Sequence, residues 1–128
     1  MKKLIFVSIL LTVVIFTMNA QEPQKQVAVH EITKAELLKM KGVIDLLKMY
    51  EPATDYSKHT YRSFEISMNI GGAEVTELVV GSDFNDKAMK MFSDAKTGSK
   101  IYFEKIRALE PVKREMTLLP SIILKIKE

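Results

Sequence analysis

Between Tyr61 and Ile70 the chain alternates with a period of two: Phe64, Ile66, Met68 and Ile70 against Ser63, Glu65, Ser67 and Asn69. Only a strand with one buried and one wet face satisfies such a pattern, because successive strand side chains point to opposite sides. Gly71-Gly72 follows at once, and Val75 to Val80 resumes with β-branched residues. Two strands joined by a Gly-Gly turn form a hairpin. A hairpin with one apolar face requires a second layer over that face.

Phe84 to Lys96 supplies a candidate for it. Asn85 can cap a helix there, with Phe84 and Met89 at the two positions of a hydrophobic staple. Ala88, Met91, Phe92 and Ala95 then share one stripe, and Gly98 is placed to end the helix in a left-handed conformation. Upstream, Thr33 and Glu36 have capping-box spacing before Leu37, Leu38 and Met40, which predicts a helix over 33–41. A longer helix through Leu47 is the alternative, against which Gly42 counts by about 1 kcal/mol. Pro52 places 51–55 in a loop.

Lys100 to Ile106 reads as a strand with Ile101 and Phe103 on one face, followed by a turn at Glu110-Pro111. The last strand, Thr117 to Lys127, turns Ile122, Leu124 and Ile126 inward. Pro120 belongs near its start or on an unpaired edge. The fold class expected is α+β, mainly antiparallel and sandwich-like, with one or two short helices packed on the sheet.

The first 20 residues read as an address. Lys2 and Lys3 precede a mostly apolar run, Leu4 to Met18, and small Ala20 precedes polar Gln21 to Lys25. This is the order of a secretory signal peptide cleaved between Ala20 and Gln21. The alternative is a retained anchor, although the run of about 15 residues is shorter than the roughly 20 of a spanning helix. Export places the chain in a periplasm or outside the cell, with no membrane span after cleavage. Residues 21–30 are expected as a flexible arm and 31–128 as one domain.

Loss of Lys2 and Lys3 leaves 17 basic against 16 acidic residues, a net charge of +1. Interspersed charge of that size has no footprint for nucleic acid. The absence of cysteine excludes disulfides, thiolate zinc sites, cysteine nucleophiles and a lipidated cysteine.

No constellation of catalytic residues stands out, and no cofactor-binding or metal residue is assigned. His30 and His59 lie in separate polar contexts and read as surface histidines. Gly98-Ser99-Lys100 follows a helix where a phosphate loop would open one. Gly71-Gly72 opens no helix and so is no dinucleotide loop. Asp83 and Asp86 suit a helix N-terminus, and Met68 and Met91 suit core gaps. A hydrolase would need Asp45, Glu65 or Glu104 to converge in a pocket. A small-ligand or enzyme-inhibitor-like domain would use the loop from Glu51 to Thr60 with Tyr50, Tyr56 and Tyr61.

Several segments together resemble the C-terminal periplasmic domain of GldM, a gliding-motility and type IX secretion component. They are 33–37 (TKAEL), Gly42-Val43, 63–67 (SFEIS), Phe84-Asn85, 95–106 (AKTGSKIYFEKI) and 119–123 (LPSII), and they span nearly the whole chain after residue 20. The resemblance implies a β-rich periplasmic domain that binds envelope proteins and performs no catalysis. Where the family has a Gly-Pro-Asp-Gly turn, this chain has Leu109-Glu110-Pro111-Val112. Its one hydrophobic segment contains no ionisable residue, so the family's proton-coupled motor helix is absent from it. Docking through a strand edge is expected, either at the Glu65-bearing hairpin or at the last strand.

Overall fold

The computed structural model describes residues 27–128. The expected signal segment and most of the expected arm, up to residue 26, lie outside them. Six strands form one sheet: β1 (Val29–Thr33), β2 (Thr60–Ile70), β3 (Ala73–Val80), β4 (Lys100–Leu109), β5 (Met116–Leu119) and β6 (Ile122–Lys127). Three helices accompany it: α1 (Lys34–Leu38), α2 (Val43–Tyr50) and α3 (Asp86–Asp94). The lateral order is β1-β6-β4-β2-β3, with β5 also on β4. All pairings are antiparallel except that of β1 with β6.

The architecture is β-rich α+β, and its second layer is helical. Phe64, Ile66 and Met68 of β2 join Ile101 and Phe103 of β4 and Ile122, Leu124 and Ile126 of β6 in one buried cluster. Leu37, Val43, Leu46, Leu47, Ala88, Met91 and Phe92 cover it from the helices. Phe84 and Phe92 meet edge to face at 4.9 Å, and both rings pack near Phe103. The helix on 86–94 therefore covers the sheet as its apolar stripe predicts, capped by the Asn85 side chain on the Ala88 amide at 2.8 Å.

The hairpin forms as expected, with Gly71 and Gly72 at φ +60° and +87° and an unbroken β2–β3 register. Such positive φ values fit the turns that match strand twist. β1 begins at Val29, so Val29 and His30, placed in the expected arm, belong to the sheet. Its pattern of one fully buried side chain, Ile32, is too short to register as a period.

The 33–47 region is neither one helix to 41 nor one to 47. The capping box forms, with Thr33 and Glu36 exchanging hydrogen bonds of 3.1 and 3.2 Å, but α1 stops at Leu38. Gly42 then lies in extended backbone paired with Asp83, and α2 starts afresh. The reason is close approach: a Cβ at Gly42 would overlap the Ser82 carbonyl oxygen, which accepts from the Val43 amide at 2.9 Å.

Gly98 adopts φ +93° but does not cap α3, which ends at Asp94 with Ala95 as its extended cap. Gly98 lies in the following turn and donates to the Ile126 carbonyl at 2.7 Å. The final strand is split at Pro120-Ser121 into β5 and β6. At the 110–115 turn, the Glu110 carboxylate accepts from the Val112 and Lys113 amides, and Arg114 takes φ +58°. A side-chain cap and one left-handed residue thus close this turn without glycine.

Candidate interaction surface

Strand edges can be located only once the lateral order is known. β6 lies between β4 and β1, so the second half of the expected last strand has both backbone sides occupied, whereas its first half, β5, pairs with β4 alone. The Glu65-bearing hairpin does end the sheet, through β3. β3 is eight residues long, has no register shift against β2, and contains no proline and no lysine. Those omissions matter because natural edges are usually guarded by proline, lysine or a bulge. Leu78 and Val80 on its outer face are 56% and 80% exposed.

The hydrogen bonding of β3 divides by parity. Gly81 donates to the Arg62 carbonyl at 2.8 Å, so odd-numbered residues of β3 turn their backbone toward β2. Glu74, Thr76, Leu78 and Val80 turn theirs to the free side. Their side chains lie on the uncovered face, where Thr76 and Ser67 share a hydroxyl hydrogen bond of 2.9 Å.

On the helical face, an open groove of about 320 Å³ runs between β3 and α3. Ile70, Val75 and Met91 form its apolar part and Glu77, Lys87, Lys90 and Asp94 its rim. Lys90 is paired with Asp94 at 3.2 Å, and Glu77 accepts from the Asn85 amide nitrogen at 3.1 Å. Lys87 makes no ion pair among the described residues.

A second cleft, of about 740 Å³, lies at the other end of the sheet. It brings together Tyr50 and Tyr56 from the expected loop site with His30, Leu118 and Pro120. The His30 and Tyr50 rings stack at 4.2 Å, which sequence spacing gave no reason to expect. Burial, with a smaller contribution from Glu36, raises the Tyr50 hydroxyl above its ordinary value. Tyr61 does not join the cleft. Its hydroxyl donates to the Tyr56 carbonyl at 2.8 Å, and burial foremost, then Tyr56 and Asp55, pushes it to about 12. It anchors the loop. His59 lies 5.4 Å from the Tyr56 ring, with Nδ1 buried and unpartnered.

Of the three carboxylates considered for hydrolysis, only two come together. Glu65 and Glu104 are cross-strand neighbours on the uncovered face, and Lys105 approaches Glu65 to 3.7 Å. Asp45 lies in the first turn of α2 and accepts from the Lys41 amide at 2.8 Å. Among the described residues no three His, Asp or Glu side chains cluster as metal ligands, and no helix is long and apolar enough to cross a membrane. No protein-family model matches the chain, and no match is found among curated proteins. Sequence reasoning reached the hairpin but missed the groove residues Val75 and Lys87. The lysine-free, proline-free run from Ala73 to Val80 signals the edge that carries Val75, and nothing in the sequence signals Lys87.

Proposed function

We propose that the chain is an exported, non-enzymatic protein-interaction module of the bacterial envelope, similar to the partner-facing domain of GldM, that docks an envelope protein along β3. The observation that carries this reading is the eight-residue edge without proline, lysine or bulge, which offers a row of unpaired backbone groups to an added strand. Export rests on the Lys2 to Ala20 pattern. The test is capture of partners from an envelope fraction with the wild-type chain and with Leu78→Pro. Leu78 turns its amide away from β2, so this proline leaves the β2–β3 ladder intact while blocking strand addition. A partner held by wild type and lost with Leu78→Pro is expected. Equal capture by both, or none by either, refutes edge docking.

The His30–Tyr50 stack favours a second reading, a small-ligand or inhibitor-like site in the larger cleft. There, loss of binding on combined Tyr50→Ala and Tyr56→Ala in a folded protein is expected, and unchanged binding excludes it.

A further inference from the structure

We infer that the groove between β3 and α3 selects the docking strand, and that its occupant is an extended peptide segment of the partner with apolar side chains at alternate positions and a carboxylate beside Lys87. This rests on the edge-docking reading and adds to it the chemistry of what docks.

A strand laid along β3 would bond to the outward backbone groups of Glu74, Thr76, Leu78 and Val80. Its side chains then alternate between the two faces of the sheet. Those on the uncovered face lie beside Leu78 and Val80, open to solvent. Those on the helical face enter the groove, where α3 forms the opposite wall. The groove is built to take apolar groups. Val75 stays 37% exposed on the helical face although its neighbour Val79 is buried, and Met91 offers a pliable side chain at 6% exposure. An aliphatic side chain seated between Val75 and Met91 removes this surface from water.

Charge supplies the second element. Lys90 already pairs with Asp94 on its own helix, and Glu77 with Asn85 across the groove. Lys87 is the rim cation without an ion pair among the described residues, so an acidic side chain on the incoming strand completes it. A second copy of this chain is the poorer occupant. β3 carries Glu74 and Glu77 and no base, and self-pairing would set two acidic edges side by side.

The probe is a displayed library of random peptides selected on the wild-type chain, with amide exchange reporting where selected peptides lie. Selected peptides should share alternating apolar positions with Asp or Glu at a fixed offset, and should protect the amides of Glu74, Thr76, Leu78 and Val80. Lys87→Glu should weaken them by about tenfold, the scale of one lost charge contact, and reselection on it should replace the acid with Lys or Arg. Val75→Glu should also weaken them. Peptides that protect the edge yet ignore both substitutions would overturn groove selection while leaving edge docking standing. Peptides that leave the edge amides unprotected and bind Leu78→Pro equally would overturn edge docking itself. A library without a shared pattern, or a chain that pairs with itself through β3 and excludes peptides, would overturn the inference.

Discussion

Lys105 of β4 lies across from Pro120, and the two irregularities shift both strands in step. Phe103 pairs with Ile122 and Ile106 with Leu119, all four facing the core, with two residues between the pairs on each strand. An odd residue, Phe103, and an even one, Ile106, can share a face only if β4 changes parity between them. Lys105 does this at φ +51°, and the β2–β4 register shifts at the same place. Pro120, which has no amide to donate, marks the matching break between β5 and β6.

Left-handed backbone costs an L-residue roughly 1–2 kcal/mol. Lys105→Gly should therefore raise stability by up to about 1 kcal/mol, after the greater freedom of glycine in the unfolded chain is offset. Lys105→Val should lower it by about 1–2 kcal/mol, since β-branching suits that conformation least. The exposed Glu65 pair, worth at most about 1 kcal/mol, is lost in both variants and leaves their order unchanged. Chemical denaturation of the three proteins checks that order.

Phe92 is fully buried between Phe84 and Phe103, whereas Lys90 on the same helix is exposed and bonded only to Asp94. Phe92→Ala should cost on the order of 3–5 kcal/mol, and Lys90→Ala should stay within about 0.5 kcal/mol. Denaturant midpoints that are equally mild would mean that α3 does not pack on the sheet.

Gly42 separates two descriptions by the sign of one substitution. In a helix interior, Gly42→Ala would stabilise by about 1 kcal/mol. Against the Ser82 carbonyl it should destabilise by about 2–3 kcal/mol, through overpacking and strain on the Val43 hydrogen bond. Thermal melts of the two proteins decide it.

Tyr61 should make the fold sensitive to alkali. Its folded value, about 12, lies above the ordinary 10.0, so the native state holds this proton more tightly than the unfolded chain. The resulting stabilisation is complete below about pH 10 and declines as pH rises toward about 12. Tyr61→Phe, which also lacks the hydrogen bond to Tyr56, should be less stable at neutral pH and lose less between those limits. A pH series of unfolding free energies for both proteins measures the difference.

Sequence alone determined the local devices. The period of two from Phe64 to Ile70, Gly71-Gly72, the Thr33–Glu36 box and the Asn85 cap each act within a few residues, and each forms as read, except that Ser67 on the expected wet face is buried beside Thr76. Tertiary structure alone decided that β1 lies parallel to β6, that β3 ends the sheet while β6 is enclosed, and that Lys105 changes the parity of β4. It also brought His30 onto Tyr50 and opened the groove between Val75 and Met91. The physical reason is that side-chain alternation sets which face of a strand is buried and says nothing of its lateral neighbour. That neighbour is chosen by backbone pairing and core packing between residues far apart in the chain.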